Sequence, residues 1–218
     1  LPKTAWPPTS QKLREQGYPE SLIALVERNP ETKDFVLDYP KYKGLEEIDI
    51  SKDVMKGEIP HFLQWDERWG YETYGSDFLA VTGCGPTCLS MVTCGLTGDT
   101  QWNPYEVAKM AEDNGYYVDG SGSSWDLMSS GAEKLGLTVS SVIFDAEHIR
   151  ATLEAGQPII CVMGPGDFTN AGHFLVLTGV DKNGDIILQD PNSVERTKQH
   201  WDVQKLMNQM KNLWAYSC

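Results

Sequence analysis

The residue with the clearest chemical potential is Cys84, which stands in the stretch Gly83-Cys84-Gly85-Pro86. Residues 87–96 continue with apolar residues at helical spacing, and Pro86 suits the first helical position. Free N–H groups and the positive end of the dipole meet at a helix start, and both favour the nucleophilic thiolate over the thiol. The sequence therefore predicts a nucleophile at Cys84, with a small buried cysteine at a tight turn as the structural alternative.

A nucleophilic cysteine needs a base, and the chain has four histidines, at positions 61, 148, 173 and 200. His173 differs from the others because it follows a glycine-containing loop, residues 164–172, and opens the apolar stretch 174–180. A base at the mouth of a strand faces a cleft while its backbone stays anchored. We expect His173 to be the general base, although a single histidine at such a position also serves structural roles.

A carboxylate is predicted on the same face of the sheet as His173. Asn183-Gly184 is a strong hairpin signal between strands over residues 174–180 and 185–189. Either register that this turn allows places Asp190 opposite Leu175 or Leu177, so a tighter register or a bulge is needed to reach His173. There Asp190 would accept the Nδ1–H of the imidazole. The alternative is that Asp190-Pro191-Asn192 forms an ordinary turn.

Gln64, within residues 61–66 (HFLQWD), is a candidate oxyanion donor. Its side-chain amide and the backbone N–H of Cys84 could together hold the negative charge of a tetrahedral intermediate. The alternative is an ordinary surface glutamine.

The chain divides by composition into two parts. Residues 1–57 are rich in proline and charge, with short helices expected over residues 20–27 and 31–37. We interpret them as an N-terminal helical arm that packs on the rest, with a lid or docking role as the alternative. Residues 58–218 show helical patterns first and mostly β-branched runs later, which predicts an α+β domain with a mostly antiparallel sheet. Helices are expected from residue 86, from Asn103-Pro104, from Ser123 or Ser124, from Asp145 and over residues 203–211; strands are expected over residues 138–144, 158–163, 174–180, 185–189 and 213–216.

Composition excludes some classes of protein. The 218 residues carry a formal net charge of -13, which disfavours nucleic-acid binding, and no apolar run has the length of a membrane span. The first residues, Leu1 to Thr4, lack a signal pattern, so we expect an extracellular or cell-envelope protein whose targeting segment is missing from this chain.

The five cysteines lack the spacing of a structural zinc site. Cys88 lies in the apolar stripe of its helix and is expected in the core. Cys161 could pair with Cys218, or Cys88 with Cys94, and the sequence does not choose between these pairings.

Four motifs, in this order, resemble the bacteriocin-processing-like cysteine peptidases, a papain-like group: residues 64–71 (QWDERWGY), 83–91 (GCGPTCLSM), 172–174 (GHF) and Asp190-Pro191. The resemblance covers roughly residues 58–218. It implies a papain-like fold, with Cys84 as nucleophile, His173 as general base, Asp190 as its orienting group and Gln64 in the oxyanion hole. Gln64 lies much further before the cysteine than in the transporter-fused members, which resembles the stand-alone, secreted bacterial branch.

The sequence therefore predicts a thiol protease that hydrolyses a peptide or related amide bond of a peptide or protein substrate, with no metal or organic cofactor. Two alternatives are a cell-wall peptide hydrolase of the NlpC type and an inactive peptide-binding module with the same fold. Metal binding by His173 and Asp190 ranks last because too few ligands are present. The oligomeric state is open. Candidate cleft walls are residues 120–125 and 164–172, and candidate cleft aromatics, each with core packing as the alternative, are Trp65, Trp69 and Trp125.

Overall fold

The computed structural model describes residues 9–218, so the expectations for Leu1 to Thr4 and for the first prolines of the arm lie outside the described residues. The arm contains helices α1 (Ser10–Glu15), α2 (Glu20–Arg28) and α3 (Lys33–Asp38), with 3-10 turns at Pro30–Thr32 and Tyr39–Lys41. The expected helix over residues 20–27 is confirmed, and Leu22, Ile23 and Leu25 form its buried stripe. The helix expected over residues 31–37 begins later, because the fixed φ of Pro30 opens a 3-10 turn first.

Seven further helices follow in residues 79–207. They are α4 (Leu79–Thr82), α5 (Cys84–Thr97), α6 (Pro104–Asp113), α7 (Ser130–Lys134), α8 (Ala146–Glu154), α9 (Val194–Lys198) and α10 (Val203–Met207). The expected caps are present: Asn103 accepts the N–H of Glu106, and Asp145 accepts the N–H of His148. The helix expected from residue 123 is instead a 3-10 turn, Trp125–Met128, capped by Ser124 and followed by α7.

In residues 9–218, ten strands form one large sheet and two small hairpins. The small hairpins pair β1 (Thr73–Tyr74) with β2 (Asp77–Phe78), and β3 (Tyr117–Val118) with β4 (Gly122–Ser123). The large sheet contains β5 (Thr138–Ser140), β6 (Ile159–Met163), β7 (His173–Val180), β8 (Ile186–Gln189), β9 (His200–Trp201) and β10 (Met210–Ser217). Its order is β5-β10-β6-β7-β8-β9, and every neighbouring pair is antiparallel. The α+β prediction is therefore confirmed.

The register of the β7–β8 hairpin changes along its length. Val176 pairs with Gln189, whereas Gly179 pairs with Ile187, and the shift lies between Leu177 and Gly179. The pairing next to the strand end, extended by one residue, places Asp190 opposite Leu175, as one of the two expected registers requires. The shift lies on the turn side of the hairpin, so it is not the bulge that was expected to bring Asp190 to His173.

Among the described residues, the core consists of three apolar clusters. One face of the large sheet packs on α5 and α6, and the opposite face packs on α8 and α10. The third cluster joins the arm to the rest of the chain, with Leu22, Phe35 and Val36 packed against Tyr71 and Ala80.

All five cysteines are free; Cys88, Cys94 and Cys161 are buried, so neither candidate disulfide is formed. Within residues 9–218, no helix combines the length and apolar character that crossing a membrane requires.

Candidate functional site

Cys84 is the first residue of α5 and is half-buried. The helix begins two residues earlier than expected, so Pro86 lies inside the first turn, where its missing N–H costs no internal helix bond. The N–H of Cys84 precedes the internal hydrogen bonds of α5, which leaves it in the set of donors that a helix start exposes. Glycine is required at position 85, because a Cβ there would lie 2.5 Å from Oγ of Ser123. The loop of residues 120–125 thus packs against the start of α5.

The imidazole of His173 and the backbone N–H of Phe174 interact with the Cys84 thiol. Burial raises the pKa of the Cys84 thiol, but hydrogen bonding to His173 and the positive charge of its ring lower it by more. The pKa of Cys84 therefore ends below the ordinary value of a thiol. In contrast, burial raises the pKa of Cys88, one helical turn later and fully buried in the core as expected.

Asp190 lies just beyond the end of β8 and is fully buried. Its Oδ1 lies 2.7 Å from Nε2 of His173 and also accepts the N–H of Asn192 at 2.7 Å. The expectation of an Nδ1 contact is wrong. His173 is the first residue of β7. Nε2 of its ring contacts Asp190, so Nδ1 is the ring nitrogen that is not used by this contact.

The two groups shift each other's titration in opposite directions. Burial lowers the pKa of His173, but the charge of Asp190 and its hydrogen bond prevail and raise that pKa to about 10. Burial raises the pKa of Asp190, and the positive charge of His173 reverses the shift so that the pKa lies below its usual value. The arrangement favours an imidazolium between a carboxylate and a thiolate.

Asp190 is also contacted by side chains whose role the sequence did not indicate, among them those of Arg196 and His61. Nε of Arg196 lies 2.8 Å from Oδ2 of Asp190 in an ion pair. Nε2 of His61 lies 2.7 Å from the backbone carbonyl of Asp190 and acts as the donor. Ser193 accepts the N–H of Arg196 as an N-cap, and this cap is the sequence signal that could have placed Arg196 on a helix after Asp190.

Gln64 is buried, not a surface glutamine, and is 3% exposed. Its Nε2 donates to the carbonyl of Ala80 at 2.8 Å, and its backbone N–H donates to the carbonyl of Pro191 at 2.7 Å. Gln64 thus joins the segment before Cys84 to the segment after Asp190. Because the Ala80 carbonyl can only accept, it fixes which end of the amide carries nitrogen, and a second N–H of Nε2 is left to donate. Its Oε1 has no hydrogen-bond partner among residues 9–218.

The residues expected to line a cleft differ in their surroundings. The loop of residues 164–172 is held by Gln209, whose side chain accepts the backbone N–H of Asp167 and donates to the carboxylate of Asp167. Trp125 is 46% exposed and makes an edge contact with Trp214, whereas Trp69 is buried in the core. The indole of Trp65 donates to the carbonyl of Asn192, close to Asp190 in the chain.

The other polar features lie apart from Cys84. His148 and His200 are exposed and contact Asp145 and Asp181, respectively. A cavity of about 300 Å³ is lined by residues of the arm and of residues 67–71, and none of Cys84, His173, Asp190 and Gln64 lines it. Residues 9–218 contain no group of three or more His, Cys, Asp or Glu side chains that could hold a metal ion.

The family model that matches this chain is the Peptidase_C39 like family, and the match covers residues 56–217. The chain therefore belongs to this family, as the sequence motifs predicted. The cysteine-bearing helix packed on an antiparallel sheet is the expected papain-like arrangement.

The solved structures that are similar to this chain include the following two. One is the peptidase domain of Streptococcus ComA, a bi-functional ABC transporter involved in a quorum-sensing pathway, with 20% identity, a TM-score of 0.47, and 62% of this chain and 91% of that chain covered. The other is described as a C39-like peptidase from Bacillus anthracis, with 18% identity, a TM-score of 0.42, and 76% and 97% covered. Among curated proteins, no match was found.

Proposed function

We propose that the protein is a cysteine peptidase that hydrolyses peptide or related amide bonds of a peptide or protein substrate. The observation that carries this proposal is the grouping of three residues: Cys84 begins α5, and Nε2 of His173 lies 2.7 Å from Oδ1 of the buried Asp190. The lowered pKa of the Cys84 thiol, caused by the hydrogen bond and charge of His173, agrees with this grouping. Family membership supports the same chemistry.

In the proposed reaction, the Cys84 thiolate attacks the carbonyl carbon and the carbonyl electron pair moves to oxygen. The imidazolium of His173 gives its proton to the leaving nitrogen as the C–N bond breaks, which leaves a thioester on Cys84. Neutral His173 then takes a proton from water, and the resulting hydroxide displaces the thiolate and releases the carboxylic acid. Asp190 orients the ring and stabilises its charged form throughout.

The negative oxygen of both tetrahedral intermediates needs donors, and the chain offers two candidates. The N–H of Cys84 at the start of α5 is one, and the second N–H of the Gln64 amide is the other. The Ala80 carbonyl holds this amide in one orientation, so the donor needs no rearrangement when charge develops.

The proposal is tested by alkylation with iodoacetamide at pH 6, read at the Cys84 peptide by mass spectrometry. We expect Cys84 to react much faster than exposed Cys218, which serves as the internal reference. Cys84→Ala is expected to abolish cleavage of a degenerate peptide library while the melting temperature stays nearly unchanged. If Cys84 reacts no faster than Cys218 and no peptide is cleaved, the chain is a binding module and the proposal is wrong.

The same protein, digested in parallel with purified peptidoglycan and casein, separates two classes of substrate. Release of casein fragments supports the peptidase proposed here. Release of muropeptides alone, with casein intact, would instead assign the chain to cell-wall peptide hydrolysis of the NlpC type.

A further inference from the structure

The arm contacts the segment that directly follows Asp190. Oε1 of Glu31 accepts the N–H groups of Val194 at 2.8 Å and Glu195 at 3.3 Å, and Oε2 accepts the hydroxyl of Ser193 at 2.5 Å. The side-chain amide of Asn29 donates to the carbonyl of Asn192 at 2.7 Å. Residues more than 160 positions apart in the sequence are thus joined by a set of direct hydrogen bonds.

These contacts stabilise the start of α9. A helix of five residues is too short to form without help, because its first N–H groups lack internal partners and few helical bonds offset the cost of nucleation. Ser193 satisfies the N–H of Arg196, and Glu31 satisfies those of Val194 and Glu195. The negative charge of Glu31 also suits the positive end of the helix dipole.

In turn, α9 carries two side chains to Asp190. Nε of Arg196 lies 2.8 Å from Oδ2, and Oγ1 of Thr197 accepts the backbone N–H of Asp190 at 2.9 Å. Within residues 9–218, Nε of Arg196 and Oδ2 of Asp190 are buried and make no hydrogen bond, so the attraction between these two atoms is that of an ion pair. Nη1 of Arg196 also donates to the carbonyl of Phe168, in the loop that leads to His173.

Building on the proposed function, we propose that Arg196 is a positioning residue for Asp190 and that Glu31 of the arm holds Arg196 in place through α9. With Oδ2 paired to Arg196, the carboxylate cannot rotate freely, and Oδ1 stays directed at His173. The arm is then a structural part of the site, and not a detachable lid over it.

Several charged or titratable groups lie around Asp190, and they determine how the loss of its ion pair with Arg196 would affect the ionisation of Cys84. Arg196 faces it from α9, His173 from β7, and His61 from the segment before Gln64. The thiols that sense its charge are Cys84 and Cys88 on α5 and Cys161 on β6. Glu31 adds a further negative charge near His61. Among these groups Arg196 is the permanent cation, so its removal makes the thiolate of Cys84 less favourable.

The test is the pH dependence of Cys84 alkylation, which reports the thiolate and needs no substrate. The acid limb of this profile is the pH range over which the alkylation rate rises as the thiolate forms, and for Arg196→Gln we expect it to move up by about one pH unit. In peptide cleavage by the same variant, we expect kcat to fall about tenfold or more, with KM within about twofold of the original. Arg196→Lys keeps the positive charge, so we expect its acid limb to lie close to the pH of the limb of the original protein. Glu31→Ala is expected to shift the limb in the same direction by a smaller amount.

Controls separate positioning from stability and from the proposed function. Glu15→Ala, an exposed carboxylate of the arm, is expected to leave the limb unchanged. The double variant Glu31→Ala/Arg196→Gln should shift no further than Arg196→Gln alone, because Glu31 acts through Arg196. An unshifted limb in Arg196→Gln, whatever its melting temperature, or an additive double variant overturns this inference. A Cys84 that is already unreactive in the unaltered protein overturns the proposed function instead.

Discussion

At the scale of single residues, the carboxylate of Asp190 is the most constrained group in the site. It is fully buried, and an isolated buried anion is costly, so each oxygen needs a partner. Oδ1 is shared between His173 and the N–H of Asn192, and Oδ2 faces Arg196. This division explains how one carboxylate orients an imidazole while remaining ionised in the interior.

Gln64→Ala is expected to lower kcat by about 10²- to 10³-fold, because it removes one donor to the negative oxygen of the intermediate. KM should change little, since this donor acts mainly on charge that develops during the reaction. Steady-state kinetics on a cleaved peptide measures both constants. Gln101→Ala, at an exposed glutamine, is the matched control, and equal kcat values for the two variants would exclude Gln64 from the oxyanion hole.

The sequence allowed the individual site residues to be selected, because each has a strong local signal. A glycine-flanked cysteine at a helix start and a hairpin turn that fixes alternation are both properties of short segments. The ring nitrogen that faces Asp190 was predicted wrongly, since it depends on the rotation of a side chain. Arg196 and the contact of His61 with Asp190 were missed because both depend on tertiary contacts. The catalytic roles of Cys84, His173, Asp190 and Gln64 remain predictions.

At the scale of elements, the starts of helices were the features that the sequence predicted best. Asn103 and Asp145 cap the two helices at which they were expected, because a side-chain oxygen there satisfies an N–H that the helix cannot. The ends of strands were predicted less well. The strand expected over residues 138–144 stops at Ser140, and Ile143 and Phe144 beyond it are exposed despite their apolar character. The whole of α9 was missed, because its stability depends on Glu31 from a distant part of the chain.

Asn103→Ala is expected to lower the free energy of unfolding by about 1 kcal/mol, because the buried N-cap of α6 loses its bond to the N–H of Glu106. Chemical denaturation measures this change. Asn103→Ser retains a capping oxygen and should recover most of the loss. Since α6 packs on α5 but holds none of the candidate site residues, alkylation of Cys84 in the folded variant should be unchanged. Equal stabilities of the alanine variant and the original protein would show that the cap contributes nothing.

At the scale of the whole molecule, the arm and the remaining chain depend on each other. The family match begins at residue 56, so most of the arm lies before it, yet Glu31 and Asn29 bind the segment that follows Asp190. The division into residues 1–57 and 58–218 stays a prediction, as does a location outside the cytoplasm. Composition identified the arm as a distinct segment, but only tertiary contacts reveal what it binds.

Stability should depend on pH through His173. Because Asp190 raises the pKa of folded His173 to about 10, its contribution is complete below the pKa of the unfolded histidine, about 6.5, and is lost as the pH rises towards 10. We expect His173→Gln to be destabilised most at pH 6, by about tenfold or more in the unfolding equilibrium constant, and progressively less towards pH 10. Urea titrations at several pH values measure this difference. His148→Gln is the exposed control, and a His173→Gln deficit that grows with pH would contradict the assignment.

The free state of all five cysteines has a practical consequence for handling the molecule. No sulfur–sulfur cross-link holds the fold, so dithiothreitol can keep Cys84 reduced without weakening the architecture. Under air, the exposed thiol of Cys218 is open to oxidative coupling between molecules, whereas the three thiols shielded in the interior, Cys88, Cys94 and Cys161, are not. Preparations that lose their reductant should therefore accumulate covalent dimers through Cys218 before the interior thiols are consumed.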